Sequence, residues 1–152
     1  MKTKFPLILF LTFLLISTFF YSCEKDTDTP PNKTSEEILT ANSWKIEKIR
    51  TLRNSTYYYY QRGSSNTELD NEYITFKTDH TGTYVAPDGA QSSITSWNFV
   101  DAEKTQLQYT IAFSTPLIVN WENLQFATTS IKYGEYHTLN GANMSIATRI
   151  PK

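Results

Sequence analysis

The chain has 152 residues, with 14 Lys and Arg against 15 Asp and Glu, which gives a formal net charge of −1. Two of the lysines lie in the first 22 residues, which carry no acid, so the rest of the chain is more acidic still. Such a charge offers no electrostatic footprint for nucleic-acid binding. The single cysteine excludes a disulfide within the chain.

Residues 1–22 have the layout of a secretory signal peptide. Lys2 and Lys4 precede an apolar run over 5–21, and the small residue Ser22 follows it. A transmembrane helix is the alternative, but a spanning helix needs about 20 apolar residues and this run is shorter. The charges after the run are mixed in sign, unlike those of a stop-transfer flank. The sequence therefore favours a signal peptide.

Cys23 stands between the apolar run and a polar segment. With the three residues before it, Phe20, Tyr21 and Ser22, it resembles the lipobox of bacterial lipoproteins. The resemblance implies cleavage before Cys23, which would then be acylated and attach the protein to a membrane. A free or disulfide-bonded cysteine is the alternative, but the chain has no second cysteine to act as a partner. One acyl chain holds a protein only weakly, so stable attachment needs the two or three of a lipoprotein.

Residues 23–33 are predicted to form a flexible tether. They hold no large apolar residue and include Pro30 and Pro31, so they cannot bury enough surface to offset their ordering entropy. The charges after Cys23 also resemble the lysine-plus-acid signal that sends some Gram-negative lipoproteins to the outer face of the outer membrane. A generic linker facing the periplasm is the alternative. The expected localisation is the cell envelope, at the outer membrane, with the face left open.

Residues 34–152 are predicted to form one all-β domain that begins with a short helix. Thr34 and Glu37 have the spacing of a capping box, and Asn42 is expected to end the helix. The chain beyond is rich in β-branched and aromatic residues, with turn signals at short intervals, as in a sandwich or barrel. The predicted strands are 43–53, 56–62, 72–78, 82–87, 92–100, 105–114, 116–120, 124–134 and 143–150, with a turn over 120–123. An antiparallel barrel of about eight strands has room for packed side chains or one small ligand.

Two of these strands alternate clearly between polar and apolar residues, the pattern of an antiparallel sheet with one wet face. In 105–113 the side expected to face inward holds Leu107, Tyr109, Ile111 and Phe113. In 144–150 the side expected to face inward holds Met144 and Ile146, with Ser145, Ala147 and Arg149 on the opposite side.

Several segments of the domain resemble the lipocalin-like domains of bacterial lipoproteins. Trp44, just after the short helix, resembles the tryptophan of their first strand, and 73–84 resembles their central hairpin with an acid-to-glycine turn. The segments 96–99, 105–111 and 118–126 fit the same order. The resemblance implies an up-and-down β-barrel and brings no catalytic residues with it.

Motifs that carry chemistry are scarce in this chain. A metal site would have to combine His80 and His137 with carboxylates, and their positions show no ligand spacing. The sequence has no nucleophile elbow and no glycine-rich phosphate loop. We therefore expect no catalytic residues, no metal, no cofactor and no enzymatic activity.

Two surfaces are candidates for binding. The first is the barrel interior, lined by Trp44, Ile46, Ile74, Phe76, Trp97, Phe99, Leu107, Tyr109, Ile111, Phe113, Met144 and Ile146. The second is an outer surface formed by Tyr57, Tyr58, Tyr59 and Tyr60, with Trp121 at an exposed rim. Alternation puts one tyrosine pair on each side of the strand, and ordinary packing is the alternative for the outer pair.

The function expected from these features is non-catalytic binding by a lipid-anchored envelope lipoprotein. The partner is a small apolar ligand inside the barrel, or a protein or glycan on the tyrosine surface. A structural or accessory subunit of an outer-membrane assembly, with a solid barrel core, is the alternative. Side-chain types alone do not distinguish a hollow barrel from a filled one.

Overall fold

The computed structural model describes residues 33–53, 56–137 and 143–152. The predicted signal peptide, Cys23 and nearly all of the tether lie outside these residues, as do the side chains of Met144 and His137. One helix, α1 (Ser35–Ala41), precedes the strands. The strands are β1 (Ser43–Arg53), β2 (Thr56–Gln61), β3 (Tyr73–Phe76), β4 (Gly82–Val85), β5 (Gln91–Phe99), β6 (Leu107–Ile111), β7 (Leu117–Ala127), β8 (Ser130–His137) and β9 (Asn143–Pro151).

The predicted helix is confirmed, together with its capping box. The Thr34 hydroxyl accepts from the Glu37 amide at 3.2 Å, and the Glu37 carboxylate accepts from the Thr34 amide at 2.7 Å. Asn42 is extended and ends the helix. The indole of Trp44 donates to the carbonyl of Leu39 at 2.8 Å, and both side chains are buried. The helix therefore covers one end of the sheet, which we call the helix end.

The strands form a closed antiparallel barrel, as predicted. From β3 to β9 each strand pairs with the next, and β1 pairs with both β3 and β9, which closes a ring of eight strands. β2 is an additional strand: Lys48–Arg53 of β1 pair with β2, while Ser43–Lys45 pair with β3 on the same edge.

The wall of the barrel is uneven in height. β3 and β4 have 4 residues each, whereas β1 and β7 have 11. The segment 62–72 links β2 to β3 and lies where the short strands β3 and β4 end. The connections 86–90 and 112–116 lie at the end opposite α1, which we call the far end.

The prediction of a turn over 120–123 was wrong. β7 runs without interruption through these residues, with a register shift against β8 between Glu122 and Gln125. Asn123 has φ +53°, so it adopts the left-handed conformation that asparagine tolerates, but at a β-bulge instead of a turn. The chain reverses at 128–129, and the predicted strands 116–120 and 124–134 become β7 and β8.

The facing predicted for the last strand was also wrong. Ser145, Ala147 and Arg149 are buried inside the barrel, whereas Ile146 is 44% exposed on the outside. The inward side of β9 is polar because Arg149 meets a buried carboxylate, Glu72, across the barrel. Ile146 is therefore not an interior residue.

Gly82 is required by the close pairing of β3 with β4. A Cβ atom at this position would lie 2.2 Å from the Thr75 carbonyl oxygen, a backbone atom that cannot turn away. We expect Gly82→Ala to lower the free energy of unfolding by about 1–3 kcal/mol in urea denaturation, as overpacking does. Gly134→Ala is the matched control, since its Cβ would make an ordinary contact of 3.6 Å. Equal effects of the two substitutions would contradict this account.

Candidate functional site

The far half of the barrel contains a cavity of about 470 Å³. This volume lies in the range of small-molecule sites, roughly 300–1,000 Å³. Its lining is Ile46, Ile49, Thr51, Glu68, Leu69, Glu72, Tyr84, Pro87, Tyr109, Ile111, Phe113, Leu117, Val119, Tyr133, Glu135, Ser145 and Arg149. The cavity is partly open to solvent, and segment 62–72 supplies the wall where β3 and β4 are short.

The interior residues predicted from sequence divide between a solid half and the cavity. The solid half, toward the helix end, contains the buried side chains Trp44, Ile74, Phe76, Trp97 and Leu107, with Phe99 half-buried beside them. The cavity is lined by Ile46, Tyr109, Ile111 and Phe113. Phe113 is 42% exposed, so it lies at the rim and not deep inside. The barrel is thus filled at one end and hollow at the other.

An aromatic cluster separates the two halves. The ring of Phe76 makes edge-to-face contacts with Trp97, Tyr109 and Trp121 at centroid distances of 5.8, 5.4 and 5.6 Å. Such aromatic pairs contribute about 0.5–1.5 kcal/mol beyond their buried area. The cluster therefore forms a firm base beneath the cavity.

The prediction that Trp121 forms an exposed rim was wrong. Its side chain is completely buried, stacked on Tyr133 at a centroid distance of 3.9 Å. The indole nitrogen donates to Glu135 at 2.7 Å. Because β7 continues through the expected turn, Trp121 takes an inward position in mid-strand.

A buried ion pair lies on the floor of the cavity. Arg149 makes two hydrogen bonds to the Glu72 carboxylate, at 2.7 and 2.9 Å, and both side chains are almost fully buried. Arg149 also donates to the Tyr133 hydroxyl at 2.7 Å and the Trp44 carbonyl at 2.9 Å. Burial alone would lower the pKa of Arg149, but Glu72 and then Tyr133 outweigh it and hold that pKa well above its usual value. The guanidinium stays charged, and its charge is matched within the protein.

A second set of polar side chains forms a row across three neighbouring strands. Glu135 of β8 is paired in register with Ser145 of β9, which is paired with Thr51 of β1. The hydroxyls of Ser145 and Thr51 lie 2.8 Å apart. All three side chains are buried and line the cavity. The row places a carboxylate and two hydroxyls on a wall that is otherwise largely apolar.

Sequence reasoning did not identify Glu72, Glu135 or Arg149 as site residues. Alternation in the last strand assigned Arg149 to the outside, and no motif singled out either glutamate. The buried polar side of β9 is the signal that could have found them, because an inward arginine needs a carboxylate partner.

The four consecutive tyrosines divide between the two sides of β2. Tyr60 is completely buried and donates to Asp70 at 2.5 Å, so its assignment to the surface was wrong. Tyr58 is half-buried, and its hydroxyl donates to Glu68 at 2.7 Å. Tyr57 and Tyr59 are 63% and 54% exposed on the outside.

The outer tyrosines belong to a larger exposed surface. In the register of β1 with β2 and β9, Tyr59 and Ile146 flank Arg50, and Tyr57 pairs with Leu52. The Arg50 guanidinium lies 4.7 Å from the centre of the Tyr57 ring. We call these five residues the tyrosine face.

The described residues contain neither a metal-binding cluster nor a membrane-spanning helix. Over 33–53, 56–137 and 143–152, no three His, Cys, Asp or Glu side chains converge to hold a metal ion. His80 is exposed in the β3–β4 turn, where its ring nitrogen Nδ1 lies 3.1 Å from the Trp97 carbonyl. Within the same ranges, no helix combines the length and apolar character needed to span a bilayer.

Comparison with protein-family models, curated proteins and solved structures finds no match.

Two tyrosines inside the barrel, the buried Tyr109 and the partly buried Tyr84, predict a loss of stability in alkali. Burial, with Glu72 nearby, raises the pKa of Tyr84 to about 12, and burial followed by the charge of Glu135 raises that of Tyr109 well above its usual value. Folding then retains phenol protons that the unfolded chain releases at about pH 10. The contribution of these tyrosines to the free energy of unfolding is therefore complete below about pH 10 and is lost as the pH rises through about 12.

Urea unfolding at a series of pH values, with tyrosinate absorbance recorded in parallel, checks this. The free energy of unfolding should fall between about pH 10 and 12, and Tyr84→Phe should make that fall shallower. An unfolding free energy that stays constant across this window would contradict the prediction.

Proposed function

We propose that this protein is a lipid-anchored lipoprotein of the bacterial cell envelope, whose lipocalin-like barrel binds a small, largely apolar ligand without catalysis. The observation that carries the proposal is the cavity of about 470 Å³ in the far half of the barrel. Its walls are mostly aliphatic and aromatic, with a few polar groups held in fixed positions by buried hydrogen bonds, the composition typical of ligand sites. The signal-peptide and lipobox patterns around Cys23 support the anchor.

Native mass spectrometry of the mature protein from its own host tests the carrier role. We expect a co-purifying small molecule that is lost from Ile111→Trp, in which a larger side chain fills the cavity. Ile118→Trp is the matched control, because Ile118 lies on the neighbouring strand but is exposed on the outside. Absence of any bound molecule from the wild-type protein would favour a structural or accessory subunit of an outer-membrane assembly instead.

The anchor has a test of its own. In Cys23→Ala the sulfur that would carry the lipid is gone, so we expect the protein to leave the membrane fraction. Ser22→Ala keeps a small residue before the cysteine and is expected to leave the protein at the membrane. Membrane retention of the uncleaved Cys23→Ala protein would show that the apolar segment, and not acylation, holds it there.

The tyrosine face supports a second candidate function, binding of an envelope protein or glycan. The observation in its favour is a group of large apolar side chains exposed on adjacent strands, with Tyr57 and Tyr59 as rigid aromatic contacts. Crosslinking in the native host with a photoreactive residue at position 59 should then yield a discrete product. The same residue at position 118, exposed elsewhere on the barrel, should not.

A further inference from the structure

Tyr109 brings into the cavity a hydroxyl that the protein does not use. Its side chain is only 4% exposed and lines the cavity, and its ring makes edge-to-face contacts with Phe76 and Trp121 at 5.4 and 5.5 Å. Within 33–53, 56–137 and 143–152 this hydroxyl makes no hydrogen bond, yet no fully buried side-chain oxygen there lacks a partner. The Tyr109 oxygen therefore keeps accessible surface, and because the residue faces inward, that surface opens into the cavity.

Tyr84 supplies a second hydroxyl of the same kind from another wall. It lies on β4, lines the cavity, and packs edge-on against Phe113 at the rim, with 6.4 Å between the ring centres. Its hydroxyl likewise makes no hydrogen bond to the part of the chain that the structure describes. Burial is the main cause of the raised pKa of both tyrosines, and the charges of Glu72 and Arg149 act on both. Both phenols therefore lie near the ion pair on the floor and stay protonated at neutral pH.

The acceptors of the lining, in contrast to these donors, are already engaged. Every glutamate among the described lining residues accepts a hydrogen bond from another side chain: Glu68 from Tyr58, Glu72 from Arg149 and Glu135 from Trp121. The ion pair on the floor also matches the charge of Arg149. What the cavity offers to a ligand is thus apolar surface and phenol protons.

From this arrangement we propose that the cavity selects an apolar ligand that carries a neutral carbonyl oxygen, as a ketone or an ester does, and that Tyr109 recognises this oxygen. The proposal rests on the ligand-binding function proposed above. A carbonyl oxygen accepts hydrogen bonds and needs no acceptor in return, so it fits a lining whose phenols have protons to donate. The apolar part of the ligand then lies against the aliphatic wall that includes Ile111, Leu117 and Val119.

The same residues disfavour two other kinds of ligand. A pure hydrocarbon covers the Tyr109 hydroxyl without giving it an acceptor, and a covered, unpaired polar group weakens binding. A carboxylate would accept from the phenols, but its charge would lose hydration with no free cation nearby, because Glu72 holds the guanidinium of Arg149. The neutral carbonyl avoids both costs.

Equilibrium dialysis of the unacylated mature polypeptide at neutral pH, with acetylnaphthalene, isopropylnaphthalene and naphthoate, tests the proposal. The three probes carry a ketone, a hydrocarbon and a carboxylate group of similar shape at the same ring position. We expect the carboxylate to bind at least about tenfold more weakly than the ketone, because its charge is not matched. Tyr109→Phe should raise the Kd of the ketone about threefold to tenfold, the range for one hydrogen bond, and leave that of the hydrocarbon unchanged or lower.

Tyr57→Phe is the matched control, because it removes the same hydroxyl from an exposed tyrosine on the outside of the barrel. It should leave all three Kd values unchanged. Urea unfolding of Tyr109→Phe should match that of the wild type at neutral pH, since the hydroxyl makes no hydrogen bond to the described residues. The infrared carbonyl stretch of an isotope-labelled ketone gives an independent measurement: it should lie at a higher frequency in Tyr109→Phe than in the wild type.

The outcomes separate the two proposals. If none of the three probes binds, the ligand-binding function itself fails, and the carbonyl preference with it. If the probes bind but Tyr109→Phe changes the ketone and the hydrocarbon equally, or the carboxylate binds best, only the carbonyl preference fails. An effect of Tyr57→Phe as large as that of Tyr109→Phe would also overturn the preference, since the effect would not come from the cavity.

Discussion

Replacement of Arg149 by methionine is expected to lower the free energy of unfolding by about 3–5 kcal/mol. The substitution leaves the Glu72 carboxylate buried on the cavity floor without the two hydrogen bonds it accepts at 2.7 and 2.9 Å. It also removes the donors to the Tyr133 hydroxyl and the Trp44 carbonyl. Breaking one side of a buried ion pair costs far more than the pair itself contributes. Urea denaturation followed by tryptophan fluorescence measures the change.

Two further variants establish the cause of that loss. Adding Glu72→Gln to Arg149→Met should recover part of the stability, because the buried charge is then gone and the two effects are not additive. Lys104→Met is the matched control at an exposed pair, Lys104 with Glu36 at 3.7 Å, and should cost about 0–1 kcal/mol. If Arg149→Met costs no more than Lys104→Met, the ion pair is not an important source of stability.

Replacement of Trp121 by alanine is expected to have an effect of similar size, about 3–5 kcal/mol. Its ring contacts Phe76, Tyr109 and Tyr133, and its indole nitrogen donates to Glu135. The substitution would leave a void beneath the cavity and take a hydrogen bond from a buried carboxylate. The free energy of unfolding is again the quantity to measure.

The comparison with other aromatic variants separates packing from hydrogen bonding. Trp121→Phe keeps most of the packing and loses the N–H group, so its cost should fall between those of the wild type and the alanine variant. Tyr57→Ala, at an exposed aromatic on the tyrosine face, should cost less than about 1 kcal/mol. Equal costs of Trp121→Ala and Tyr57→Ala would contradict the inward placement of Trp121.

The barrel could be predicted because its main signals are local. The capping box at Thr34, the alternation over 107–111 and the turn signals around Gly82 and Gly89 each depend on a few neighbouring residues. These signals were enough to give the antiparallel class, the short helix and the approximate positions of most strands.

The polar floor of the cavity could not be predicted in the same way. Glu72 and Arg149 are 77 positions apart, so nothing local shows that they meet. Alternation predicted that the apolar side of β9 faces the interior, but the polar side faces inward because Arg149 pairs with the buried Glu72. The turn predicted at Asn123 was wrong because an asparagine in the left-handed conformation fits a β-bulge as well as a turn. Four cavity residues were found through their apolar alternation, whereas the charged residues of the lining were not.

The ring of strands is joined by its first and last members. β1 pairs with β9 over Trp44–Thr51, and the amide of Lys152 donates to the carbonyl of Ser43 at 2.8 Å. The sheet is therefore an open ribbon with two unpaired edges until β9 pairs with β1. Exposed edges of this kind favour aggregation, and pairing the two ends of the chain carries a large loop-closure cost. Truncation of β9 would remove both the strand pairing that closes the ring and Arg149 beneath the cavity.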